Sequence, residues 1–113
     1  MILIMKINTD NNFIDEMLSC FDNDESAVVA TIVHTRGSTP RKEGAKMLIR
    51  KDGSFSGTIG GGCGESEVWQ KAMEVFELGE TTFLSVDLTE PVDGVDKVCG
   101  GVMDIMLERL DPQ

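Results

Sequence analysis

The sequence predicts a single compact α/β domain: a mixed β-sheet with a β-hairpin and about two helices. Three observations carry this. A length of 113 residues with 41% hydrophobic and 27% charged side chains is globular composition at the size of one domain. Short β-branched runs alternate with stretches of helical period. An Asp52-Gly53 step between two short apolar runs is a hairpin signal. A chain of this size buries roughly two thirds of its unfolded surface, enough for a modest core without a disulfide or structural metal.

The elements follow in order. Asn8, Thr9 or Asp10 can cap a first helix whose apolar face is Phe13, Met17 and Phe21, with Leu18 beside it. Ala27 to Thr35 is a β-branched run, apolar enough to lie in the centre of a sheet. Arg36 to Gly44 (RGSTPRKEG) is too polar and too rich in Gly and Pro for either element and reads as a loop. Ala45 to Arg50 and Phe55 to Ile59 flank the Asp-Gly turn as two antiparallel strands. After Gly60 to Gly64, Val68, Ala72, Val75 and Phe76 recur at helical spacing until Gly79, a natural residue just past a helix end. Thr82 to Leu88 reads as a strand, Thr89 to Gly101 as a loop, and Val102 to Leu110 as a last strand with Met103, Ile105 and Leu107 alternating with polar neighbours.

Charge and cysteine content exclude several functions. With 20 Asp+Glu against 10 Lys+Arg, the net charge of -10 repels nucleic acid and anionic membranes. The distribution is uneven: Arg36, Arg41, Lys42, Lys46, Arg50 and Lys51 face only Glu43 between positions 36 and 51, a local +5 that reads either as a solvated loop and hairpin edge or as an anion site. Cys20, Cys63 and Cys99 are odd in number and widely spaced, which fits neither a disulfide framework nor a zinc ribbon and suits a reducing cytoplasm. The apolar stretch Met1 to Met5 is too short for a signal or a membrane span, so no membrane partner is expected.

Three motifs carry chemistry. In GTIGGGCGE, Gly57 to Glu65, the glycines Gly60, Gly61 and Gly62 leave backbone N–H groups unshielded at the start of a helix, where an anion can be held. The same field favours the thiolate of Cys63, the form that attacks electrophiles and ligates metals; the alternative is a plain tight turn. Neither GxGxxG nor a P-loop fits here, so tight NAD or ATP binding is not expected. In Thr35 to Lys42 (TRGSTPRK), the hydroxyls of Ser38 and Thr39 and the guanidinium groups of Arg36 and Arg41 suit an oxyanion or phosphate. Val98 to Gly101 (VCGG) places Cys99 beside two glycines. Cys20 reads as core, and His34 as a structural histidine with no partner at metal-ligand spacing.

Taken together, ATIVHTRGSTPRKEGAKMLI (Ala30 to Ile49), DGSFSGTIGGGCGE (Asp52 to Glu65) and VCGGVMDIMLE (Val98 to Glu108) resemble the N-terminal domain of the xanthine dehydrogenase accessory factor family, XdhC/CoxI, over about 27–110. The resemblance implies a cytoplasmic maturation factor that binds molybdenum cofactor transiently, shelters it during sulfuration by a cysteine desulfurase, and delivers it to the apoenzyme of a molybdenum hydroxylase of the xanthine or carbon monoxide dehydrogenase type. Family members usually add a C-terminal Rossmann-like domain; Gln113 ends this sequence without one, so it resembles either a stand-alone small member or a half that works with a separate Rossmann-domain subunit, and a homo-oligomer is also expected. Cys63 is the expected molybdenum or sulfur contact, Cys99 a second thiol nearby, and Gly60 to Gly62, Arg36, Ser38, Thr39 and Arg41 the oxyanion contacts. Two other classes stay open: an enzyme using Cys63 as nucleophile, and a regulatory module that docks on such a hydroxylase.

Overall fold

The structure, a computed structural model, describes residues 11–59, 64–89 and 100–112. The elements are α1 (Asn11–Asp22), β1 (Ala27–Arg36), β2 (Lys46–Arg50), β3 (Phe55–Gly57), α2 (Glu65–Leu78), β4 (Thr82–Asp87) and β5 (Val102–Leu110). The expected α/β domain, with its hairpin and two helices, is present among these residues. The proposed caps of α1, Asn8, Thr9 and Asp10, lie outside them.

The five strands form one sheet in the order β3-β2-β1-β5-β4, and the apolar run β1 is its centre, as its composition predicts. Where the sequence suggests a mixed sheet, every neighbouring pair is antiparallel. The strand-helix-strand passage β3-α2-β4 does join two strands that run the same way, as the four antiparallel ladders between them show. It joins opposite edges of the sheet, however, so three strands lie between them and no parallel ladder forms.

Strand alternation sends β1 side chains to two cores. Val28, Ala30 and Ile32 meet Met103, Ile105 and Leu107 of β5 and Val68, Ala72 and Val75 of α2. Ala27 and Val29 meet Leu48 and, from α1, Phe13 and Cys20 on the other face. The result is three layers, with α2 over β1, β5 and β4 and α1 over β2 and β3. Each fully buried Ile, Leu or Met here contributes about 1.5–3 kcal/mol relative to exposure.

Local chemistry explains the boundaries. Gly53, at φ 93, makes the hairpin turn, closed by the Arg50 N–H on the Ser54 carbonyl (2.8 Å). The Asp52 carboxylate accepts the Ser54 hydroxyl (2.6 Å) and N–H (2.9 Å), and these two bonds hold its carboxyl below the usual range. β3 stops at Gly57, short of the expected Ile59, because Gly57 turns at φ 80 with its backbone pressed on the Lys46 carbonyl, where a Cβ would lie 2.5 Å from the oxygen. α2 ends as predicted on Gly79, at φ 73, whose N–H bonds the Val75 carbonyl.

β1 also contains an irregularity that its sequence does not announce. Its pairing with β5 shifts between Ile32 and His34, leaving Val33 as a bulged residue, 41% exposed. Ile32 faces α2, whereas two residues later His34 pairs with Asp104 on the opposite face.

Candidate functional site

The described parts of the predicted motif loops meet at one end of the sheet. β1 ends there on Arg36, β3 on Gly57 and β4 on Asp87, while β5 begins there at Val102 and α2 at Glu65. Glycine packing joins two of the loops. A Cβ on Gly101 would lie 2.4 Å from the Ser38 carbonyl oxygen and 2.6 Å from that of Arg36, and one on Gly37 would lie 2.9 Å from the Gly100 oxygen. Backbone therefore lies directly on backbone, and Gly37 turns at φ 73 to permit it. The Leu88 N–H bonds the Gly101 carbonyl (2.7 Å), and the Gly100 N–H bonds that of Leu88 (3.0 Å), which fixes the same segment to the end of β4.

The third loop is fastened at both of its described ends. Arg41 Nη1 donates to the Thr58 carbonyl (3.2 Å), and the Thr58 hydroxyl donates to Glu65 Oε2 (2.7 Å), so the GSTPR loop, the end of the hairpin and the first turn of α2 are tied together. Gly64, at φ 80, is the cap residue of α2, and a Cβ there would lie 2.7 Å from Val86 Cγ1 of β4. Gly60, Gly61, Gly62, Cys63 and Cys99 themselves lie outside the described residues. Their described chain neighbours, Ile59, Gly64 and Gly100, all sit at this end of the fold.

The loop residues divide their roles. The Thr39 hydroxyl donates to the Arg41 carbonyl (2.8 Å) and so shapes the loop with its proton already used. Ser38 is exposed. Arg36 projects on the face away from α2, flanking Val102 together with Asp87. The Asp87 carboxyl is held low first by the Thr89 hydroxyl, then by the Thr89 N–H, with a smaller contribution from Arg36. Arg41, by contrast, reaches toward the start of α2. Two other cations of the basic stretch, Lys46 and Arg50, are engaged elsewhere. Lys46 reaches Thr31 (3.2 Å), and Arg50, at the opposite end of the sheet, bridges Glu16 (2.9 Å) and Glu25 (3.3 Å), next to Lys51 at the hairpin turn.

The other singled-out residues behave structurally. Cys20 is fully buried, and burial pushes its thiol up, partly opposed by Arg50. His34 Nδ1 lies 3.4 Å from Asp104 Oδ2. Among the described residues there is no His, Cys, Asp and Glu grouping fit for a metal ion, and no helix long and apolar enough to cross a membrane. A cleft of about 560 Å³ lies at the far end, lined by Asp24, Glu25, Lys51, Asp52, Phe76 and Arg109, away from the GSTPR, glycine and CGG loops. Sequence reading missed Gly37 and Thr58 as site-forming residues. The Arg-Gly and Gly-Gly steps were the available signal for the first, whereas nothing in the sequence marks the Arg41 to Thr58 bond.

Comparison with known proteins points the same way. The model of the XdhC and CoxI family matches residues 20–87. A probable xanthine dehydrogenase subunit of Bacillus subtilis is 33% identical over 102 residues, covering 88% of this chain and 31% of that protein. The "Molybdenum cofactor insertion chaperone PaoD" of Escherichia coli is 31% identical over 86 residues, covering 76% of this chain and 27% of that one. A crystal structure of a xanthine dehydrogenase from Bacillus halodurans superposes with a TM-score of 0.72 at 34% identity, covering 85% of this chain and 30% of that chain. The chain thus spans less than a third of the length of each of these three proteins.

Proposed function

Since the chain belongs to the XdhC and CoxI family, we propose that it is a cytoplasmic maturation factor that binds molybdenum cofactor transiently and delivers it to the apoenzyme of a xanthine or carbon monoxide dehydrogenase type hydroxylase. The observation that carries the reading is the convergence of the GSTPR loop with the described ends of the glycine and CGG loops on one end of the sheet, locked by the Gly37 and Gly101 contact and by the Arg41 to Thr58 bond.

The donor set suits this cargo. Molybdenum cofactor is an anionic pterin dithiolene with a terminal phosphate, and its metal accepts soft sulfur ligands. Cys63 is the proposed sulfur contact to molybdenum, with Cys99 as a second thiol. Arg41, fixed beside the start of α2, and the exposed hydroxyl of Ser38 are proposed to hold the phosphate, together with the N–H groups of Gly60 to Gly62. Arg36 extends the positive field on the other face, and Thr39 keeps the loop in shape. The acidic remainder of the surface then serves partner selection, including the hydroxylase, a cysteine desulfurase and a separate Rossmann-domain subunit.

The test is anaerobic purification from a host that makes the cofactor, followed by assay of bound molybdenum and pterin. Stoichiometric amounts of both, lost in Cys63→Ser with unchanged circular dichroism, are expected. Absence of both from the wild-type protein overturns the carrier role, and turnover of a small-molecule substrate by Cys63 replaces it with catalysis.

A further inference from the structure

Half-buried arginines in this fold take a carboxylate where one is in reach. Arg50 lies between Glu16 (2.9 Å) and Glu25 (3.3 Å), and Arg109 lies beside Asp111 (3.2 Å). Arg41, also half-buried, is the exception. Among the described residues it has no ion pair, and its Nη1 donates to a neutral group, the Thr58 carbonyl (3.2 Å). A carboxylate is nonetheless at hand. Glu65 Oε2 accepts the hydroxyl of the same Thr58 at 2.7 Å, so guanidinium and carboxylate are held on two groups of one residue without pairing. Arginine and carboxylate pairs are among the strongest side-chain contacts, and both side chains keep the rotamer freedom to seek one. Thr58 itself has little room to yield. It stands between Gly57, whose backbone is pressed on the Lys46 carbonyl, and Ile59, which is fully buried.

We propose that Thr58 is a positioning residue that keeps Glu65 off Arg41, so that the guanidinium stays open to an oxyanion such as a phosphate monoester. This rests on the reading of Arg41 as an anion contact and adds the reason that the contact is available. The Thr58 hydroxyl proton satisfies the carboxylate where it stands, and the Thr58 carbonyl fixes one corner of the guanidinium at the end of the hairpin. The Thr39 hydroxyl steadies the Arg41 backbone from its own loop (2.8 Å). A guanidinium has several N–H donors in a rigid fork, and one bond to Thr58 leaves others for a charged acceptor. Without the hydroxyl, Glu65 becomes the competitor for those donors. It is tethered at the start of α2, and a tethered carboxylate acts at a high effective concentration against a free ligand. The effect therefore has a definite sign. Removing the hydroxyl hands Arg41 to Glu65, and removing the Glu65 charge as well gives it back.

Calorimetric titration of inorganic phosphate into the full chain, purified without cofactor, tests this. Thr58→Val should weaken binding by about tenfold or more, whereas Thr58→Ser, which keeps the hydroxyl, should retain it. The double variant Thr58→Val/Glu65→Gln should recover at least the wild-type affinity, and Glu65→Gln alone, which can still accept the hydroxyl, should bind at least as tightly as wild type. Circular dichroism should be unchanged throughout. Recovery on adding a second substitution separates this role from a structural one, since a hydroxyl that only shapes the turn is not replaced by a change at Glu65. A wild-type protein that binds no phosphate, an unchanged affinity in Thr58→Val, a double variant as weak as Thr58→Val, or a loss in Glu65→Gln would each overturn the proposal. Molybdenum and pterin per wild-type chain, scored separately, decide the carrier reading. Their presence without this pattern overturns the Thr58 role alone, and the pattern without them overturns the carrier role alone.

Discussion

Substituting Gly101 by alanine should strongly damage the motif end of the fold. The added Cβ would sit 2.4 Å from the Ser38 oxygen and 2.6 Å from the Arg36 oxygen, well inside the 3.4 Å at which ordinary contact begins. Both obstacles are backbone, so no side-chain rotation relieves them, and the whole Arg36 to Ser38 turn must retreat. Overpacking typically costs about 1–3 kcal/mol, and an unyielding neighbour puts this site at the upper end, about 2–3 kcal/mol. Gly100 is the internal control. It has open space around its Cβ position but a φ of +88, so Gly100→Ala incurs only the left-handed penalty of roughly 1 kcal/mol. Urea unfolding followed by the fluorescence of Trp69, the one tryptophan in the sequence, reads both. With a slope of about 1–3 kcal/mol per molar, Gly101→Ala should lower the midpoint by about 1–2 M and Gly100→Ala by less than half as much. Equal midpoints for the two variants would refute the backbone interlock between the RGS and CGG segments.

Three further outcomes are expected. Arg41→Ala should weaken cofactor retention by about 1.5–3 kcal/mol, since a desolvated guanidinium against an oxyanion is lost, whereas Lys51→Ala at the far hairpin turn should change retention little; equal losses, read as molybdenum per chain, would reduce the basic stretch to a diffuse field. Timed alkylation at neutral pH, resolved by mass spectrometry, should label Cys63 first, Cys99 second and Cys20 last, because Cys20 is fully buried with its thiol pushed up; early labelling of Cys20 would contradict this order. Asp52 and Asp87 have carboxyls lowered by their Ser54 and Thr89 hydrogen bonds, so their stabilisation is present above the unfolded value near 3.9 and is lost as pH falls through the lower folded value. Asp52→Asn and Asp87→Asn should each flatten the decline in stability below about pH 4 in acid titrations; an unchanged slope would show that these turns add nothing.

Local periodicity made most elements legible, because each depends on neighbours within a turn or a pleat. α2 and its Gly79 end, the Asp52-Gly53 hairpin, the central placement of β1 and the alternation of β5 all follow from spacing that the chain carries locally. Pairing partners are another matter. Nothing in the period of β3 or β4 says that they occupy opposite edges, so the crossover suggested a mixed sheet and the ladders are antiparallel. The site was legible as three motifs but not as a geometry. The basic stretch from Arg36 to Lys51 looks continuous in sequence, yet β2 runs back along β1, so Arg41 serves the loop end while Arg50 is taken up by Glu16 and Glu25 at the other. Hydrogen bonds such as Arg41 to Thr58 depend on where two loops meet and leave no trace in spacing.

The bulge at Val33 makes residue number, and not only residue type, a functional quantity in β1. Up to Ile32 the even positions face α2; from His34 onward they face the opposite side. Deleting one residue at the bulge would restore an unbroken pleat and turn the side chain of every residue between there and the RGS turn through half a rotation relative to the core. Arg36 would then point toward α2 and lose its place beside Asp87. Single-residue insertions or deletions should therefore be tolerated at the exposed turn around Lys51 and Asp52 and excluded between Ile32 and Arg36. Ten residues occupy β1, and the count itself sets the phase in which the site meets the sheet.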